Sequence, residues 1–190
     1  MTTKRLILFF AAIFSVSFFT QASAQQAKVI LLISEQNIEG PQRAWWASEV
    51  DLSTTESKLA QNLIAAGFEV LEPSSLNKVI QQDKAFRLVD FSDELTVKLG
   101  NLSKADFVIV GKAIASSGGN VPQSSMISCF ANITAKVIRV KDGKVIGYLD
   151  ASGSSAHMDR ITGGREALNS AAQDLADKAI NVLNKGEGLK

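Results

Sequence analysis

The stretch Ile127-Ser128-Cys129-Phe130-Ala131-Asn132-Ile133-Thr134-Ala135-Lys136-Val137 decides the fold. Every second residue, from Ile127 through Cys129, Ala131, Ile133 and Ala135 to Val137, is apolar or small. Between them stand Ser128, Phe130, Asn132, Thr134 and Lys136. Side chains alternate across a strand, so this pattern is a strand with one face in a core and one mostly polar face toward water. Lys141-Asp142-Gly143-Lys144 follows, with the Asp-Gly pair that marks a hairpin turn. Residues 145–152 then return antiparallel.

Working back toward the amino end, residues 106–114 (Asp-Phe-Val-Ile-Val-Gly-Lys-Ala-Ile) form a further strand. Residues 115–125 are rich in Ser and Gly and read as a mobile loop. Ser92-Asp93-Glu94 opens a helix to about Leu102, its acids at the positive end of the helix dipole. Pro73-Ser74-Ser75 opens a short helix over 76–81. Residues 28–34 read as a buried strand and 68–71 as a second strand. Between those two strands, Ser53-Thr54-Thr55-Glu56 is a capping box, Leu59, Leu63 and Ala66 share a helical face, and Gly67 ends the helix. Toward the carboxyl end, residues 152–160 are polar, and an alanine-rich helix begins near Thr162. Its small face, with Ala167, Ala171, Ala172, Ala176 and Ala179, is expected close against the sheet.

Strands alternating with helices imply a parallel sheet, and the hairpin adds antiparallel strands. The expected fold is a single α/β domain with a mixed sheet of about five strands and helices packed against it.

Lys4 and Arg5, an uncharged run from Leu6 to Phe19 and then Ala22-Ser23-Ala24 form a secretory signal, with cleavage expected before Gln25. The run is too short to serve as a membrane span, so no stable anchor is expected after cleavage. No cysteine stands at the cleavage site for a lipid. The expected location is the bacterial periplasm. The domain is expected over 25–185, with a frayed tail over 186–190. Removing 24 of 190 residues leaves 166, the size of one ordinary domain. It holds 18 basic and 19 acidic residues, a net charge of −1 with no basic stripe, which argues against nucleic acid as a partner.

Four segments together resemble a group of cell-envelope domains. They are Leu59 to Val70 (helix, Gly-Phe, strand), Lys104 to Ala113 (Ala-Asp, apolar run, Gly), the hairpin Cys129 to Gly153, and the closing helix Arg165 to Leu183. The group includes the middle domain of flagellar assembly protein T, the periplasmic part of the curli secretion channel, the penicillin-binding protein activator lipoproteins and the TolB amino-terminal domain. The resemblance implies a TolB-N-terminal-like fold and a non-enzymatic part of an envelope machine, with envelope proteins as partners or self-association as in ring-forming members. Two departures stand out. The signal segment carries no cysteine like the lipidated one of the curli channel and the activators, and no domains like those that flank the flagellar one are expected here.

Individual residues add little chemistry. His157 is the only histidine, and Asp150 and Asp159 near it read as loop acids. No serine stands in a nucleophile elbow, so no triad is expected. Cys129 is the only cysteine and shares the apolar face of its strand, so it reads as core. One Cys and one His cannot close a zinc shell. No cofactor is expected. Gly163-Gly164-Arg165 reads as a flexible entry to the last helix, and anion binding at that helix start is the other reading.

Trp45 and Trp46 are adjacent, in a segment broken by Gly40 and Pro41 and kept near water by Arg43 and Glu49. Neighbouring side chains cannot easily enter one core from a strand or a helix. Tryptophan is enriched at interface hot spots. Trp45, Trp46 and Arg43 are therefore the candidate partner-binding residues, one ring capping the core and the other serving as anchor. The main alternative to a protein-binding module is a small-molecule-binding periplasmic domain, with residues 35–52 and 115–125 as its cleft. A hydrolase is the weakest reading.

Overall fold

The computed structural model describes residues 26–38, 40–43, 53–71 and 93–187. The expected signal segment, the short helix over 76–81 and the tryptophan pair lie outside the described residues. Among the described residues nine elements follow one another: β1 (Lys28–Asn37), β2 (Gly40–Arg43), α1 (Thr54–Ala65), β3 (Glu69–Leu71), α2 (Asp93–Ser103), β4 (Phe107–Asn120), β5 (Ile127–Arg139), β6 (Lys144–His157) and α3 (Arg160–Glu187).

The sheet runs β2-β1-β4-β5-β6, with β3 also paired to β1. β4 lies parallel to β1 from Val29↔Phe107 to Gln36↔Ile114. β3 and β2 therefore share the opposite edge of β1. β3 is parallel beside Lys28–Ile30, and β2 is antiparallel beside Glu35–Asn37. The sheet thus has six strands and is five strands wide, mixed as the alternation of elements required. β4, β5 and β6 form a long antiparallel meander.

The faces follow the alternation. Val29, Leu31 and Ile33 of β1, Ile109 and Ala113 of β4, and Cys129, Ala131, Ile133 and Val137 of β5 point to one side, against α1 and α3. Ile30, Leu32 and Val108 point to the other side, where Leu99 of α2 meets them near one end of the sheet. The alanine face of α3 is buried from Ala167 to Ala179. It comes so close to β6 that a Cβ on Gly153 would strike the carbonyl oxygen of Ala167 and the nitrogen of Ala171.

Local signals set the ends of α1. Glu56 N–H donates to Ser53 Oγ at 3.1 Å, and Ser53 N–H donates to Glu56 Oε2 at 3.3 Å, the capping box read from the sequence. At the other end Gly67 has φ +94°, and Phe68 N–H reaches back to the Leu63 carbonyl while Gly67 N–H reaches that of Ile64. These paired bonds close a helix through a residue in left-handed conformation, which glycine adopts at low cost.

Four expectations need correction. Residues 115–120 are the second half of β4, paired to β5 as far as Asn120↔Ile127, and not part of a loop. Pairing with a strongly alternating neighbour overrides the weak strand preference of Ser and Gly. β1 continues to Asn37 and β2 follows, so residues 35–43 are largely strand. Pro41 lies in β2 at the sheet edge, where a missing N–H is tolerated. β6 extends through the polar residues to His157, its Gly153 and Ser155 on the side toward α3. Finally, α3 starts at Arg160: Asp159 caps it, its Oδ2 accepting Thr162 N–H at 2.7 Å and its carbonyl accepting Gly163 N–H at 2.9 Å. Gly163 and Gly164 are thus inside the first turns of the helix and buried against Cys129 and Asn37. Asp159 is a helix cap and Asp150 a strand residue, not loop acids.

Candidate functional site

Among the described residues, the side of the sheet away from α1 and α3 is covered by α2 near one end, and beyond that β4, β5 and β6 present exposed side chains there. Register defines its rows. Ser34, Lys112, Thr134 and Asp150 lie side by side across β1, β4, β5 and β6. One row toward α2 lie Leu32, Val110, Lys136 and Tyr148, and one row away lie Gln36, Ile114, Asn132 and Ser152. Phe130 follows, paired with Ser116 and Ser154. Lys112, Thr134, Lys136, Tyr148 and Asp150 line an open depression of about 360 Å³.

Three large side chains on this face are in water. Tyr148 is 77% exposed, Phe130 46% and Ile114 37%. Phe130 lies over Gly118, where an added Cβ would come 2.8 Å from its Cε2. Ile114 and Phe130 are diagonal neighbours on adjacent strands, a spacing at which large side chains touch. An exposed aromatic costs a folded chain solvation without adding core. It is the kind of group that gains most when a partner buries it. The face can therefore offer apolar contact at Tyr148 and Phe130 and charged contact at Lys112 and Asp150. Sequence reasoning placed Phe130 and Lys136 on the solvent side of their strand. It missed Tyr148 as a candidate, although the alternation of β6 carried that signal.

A second polar group sits where α1 meets the outer edge of β1. There Ile33 N–H, between the reach of β3 and that of β2, donates to Glu56 Oε1 at 2.9 Å. Glu35 Oε2 accepts Thr55 N–H at 2.7 Å. Both carboxylates are buried, and Thr55 Oγ1 is buried with no partner. Burial pushes the Glu56 carboxyl above its usual range against the pull of the Ile33 and Ser53 N–H groups, and the charge of Glu35 adds to the rise. These carboxylates face the positive end of α1 and stitch it to the strand, which is a structural role.

The residues singled out by sequence separate widely. Arg43 ends β2, paired with Glu35 across the strands; its side chain, with Trp45 and Trp46, lies outside the described residues. His157 is the last residue of β6 and accepts Asp159 N–H on Nδ1 at 2.9 Å. Cys129 is fully buried under α3, with Sγ 3.9 Å from the Arg160 carbonyl oxygen. Burial, reinforced by the charge of Glu166, pushes its thiol up. The cleft once expected between residues 35–52 and 115–125 is not made of two loops, because strands β1, β2 and β4 take up much of both stretches. Among the described residues no group of three or more His, Cys, Asp or Glu side chains gathers around a common point. No described helix is long and apolar enough to cross a membrane.

No family model matches this chain. No curated protein matches it either. Solved structures do. The chain is similar to the hypothetical protein CT253 of Chlamydia trachomatis, with a TM-score of 0.50 and 12% identity over 86% of this chain and 96% of that one. It is similar to PelC of Paraburkholderia phytofirmans, a dodecamer, with a TM-score of 0.41 and 16% identity over 83% and 88% of the two chains. It is also similar to lipoprotein GNA1162 of Neisseria meningitidis, with a TM-score of 0.43 and 14% identity over 84% and 99%. The likeness is one of fold.

Proposed function

We propose that this chain is a non-enzymatic periplasmic protein-binding module, an accessory or assembly factor of a cell-envelope machine of the flagellar or secretion type. The observation that carries the reading is the solvent-exposed sheet face with Tyr148 and Phe130 in water and charges beside them. An open, ridged face suits a protein surface better than a small molecule, which binds in a concave, mostly enclosed pocket. The fold likeness supports the envelope part of the reading, since the similar structures include a lipoprotein. The secretory pattern of the first 24 residues supports the compartment. Trp45 and Trp46, with Arg43, are proposed as a further partner anchor beyond the end of β2.

The test is alanine substitution on the exposed face. Tyr148→Ala and Phe130→Ala should leave thermal unfolding within about 0.5 kcal/mol of the parent, as surface changes do. Each should weaken capture of partners from envelope extract by about 2 kcal/mol, roughly thirtyfold, if it is a hot spot. Undiminished capture by the double substitution would overturn the reading.

A further inference from the structure

β6 is an edge strand, and among the described residues nothing pairs with it on the side away from β5. Fourteen residues of open strand are a ready template for another chain. The groups that point outward can be identified from two contacts. Lys178 Nζ donates to the Asp150 carbonyl at 2.7 Å. The Ser152 N–H faces the Asp174 carboxylate and helps hold it below its usual range, after the larger pull of Lys178. In a strand the N–H and C=O of one residue point to the same edge and alternate residues repeat it. The outward set is therefore Tyr148, Asp150, Ser152, Ser154 and Ala156.

Asp174 and Lys178 stand one turn apart on α3 and bond each other at 2.7 Å. Both side chains are close to half exposed. Such an exposed pair contributes little to stability by itself. That small contribution does not explain why both ends also reach round the sheet edge to neighbouring backbone groups. Those groups are the ones an incoming strand would need first.

We propose that the Asp174–Lys178 pair is a clip that occupies the outward carbonyl of Asp150, covers the edge at Ser152 and keeps the β6 edge from pairing with the β6 edge of a second copy of this chain. A second copy fits because two identical edges can pair antiparallel about a twofold axis, with the middle of each strand meeting the middle of the other. The clipped residues lie near the middle of β6. Two ungapped strands would then continue one sheet across the pair. With the clip closed, both strands meet a lysine and an aspartate where they need free N–H and C=O groups.

The test compares molar mass by light scattering over a range of concentrations. The full chain carries either Asp174→Ala with Lys178→Ala, or Lys178→Met alone, which keeps the apolar stem. Each is checked for folding by circular dichroism. Opening the clip should raise the mass twofold relative to the parent protein as concentration increases. Adding Ser154→Pro, which removes one outward donor where an edge tolerates proline, should return the mass to that of the parent. The proposal is overturned if the folded clip variants keep the parent mass at every concentration, or if their gain survives Ser154→Pro. Should the double substitution fail to fold, Lys178→Met decides by the same two outcomes.

Discussion

Glu56 shows how one side chain can hold two elements together. Its Oε2 accepts the N–H of the helix cap Ser53, while its Oε1 accepts Ile33 N–H on the outer edge of β1. Replacing it with alanine would leave the Ile33 N–H buried and unpaired, and we expect Glu56→Ala to cost about 1–3 kcal/mol. The charge itself is unfavourable there, because burial and the neighbouring Glu35 raise the folded carboxyl above its unfolded value of 4.5. The folded state then holds the proton to higher pH than the unfolded chain does. This contribution is fully present below the unfolded value and is lost as pH rises through the folded one. Glu56→Gln removes the titration and keeps an acceptor for Ile33. The stability of the parent relative to Glu56→Gln should fall as pH rises from 4.5 toward 8, measured by urea unfolding of both proteins. A difference that is flat with pH, or that grows, would show that the carboxylate is not penalised there. Taking the difference removes the opposite trend of Asp142. Its carboxyl, bonded to the Arg139 guanidinium at 2.8 and 3.0 Å, lies at about 2, and its contribution is lost only as pH falls toward that value.

Between elements, the decisive contact is that of α3 with β6. The helix lies close enough for its backbone at Ala167 and Ala171 to crowd the hydrogen side of Gly153. Backbone atoms cannot step aside as a flexible side chain can, so Gly153→Ala should displace the helix and destabilise the fold by about 1–3 kcal/mol. Gly119→Ala is the control: nothing lies within 4 Å of its added Cβ, and its urea midpoint should stay near that of the parent. Equal effects at both positions would refute the close approach. The sequence showed part of this contact. The alanine face of α3 and the alternation of β5 are periodic, so helix, strand and buried faces were all legible in them. Gly153 was not, because a glycine in a Ser-rich run reads as loop until the helix above it is placed. The same holds for residues 115–120, whose strand state comes from pairing with β5 rather than from their own composition. Asp159 as the cap of α3 was missed because the two glycines inside the first turns read as a break. The exposed face was half legible: register could not be read, so Tyr148 could not be put beside Lys136 nor Phe130 diagonal to Ile114.

At the scale of the whole molecule, one sheet has two unlike sides. Among the described residues, α1 and α3 bury one side, while α2 shields the other near one end and leaves side chains of the meander β4–β6 exposed. Under the proposed function, stability and recognition fall on opposite sides of the same strands, since alternate residues of β5 face each side. A substitution such as Ile133→Ala on the buried side is expected to act on folding, and one such as Phe130→Ala on binding, although they lie three residues apart. The claim that the open face meets a protein partner is tested most directly by placing a photo-crosslinking amino acid at Tyr148 in the full-length protein and irradiating intact cells. The comparison position is Asp177, on the solvent side of α3. We predict a discrete adduct with another protein from position 148 and none from position 177. No adduct from position 148, or the same adduct from both positions, would contradict it.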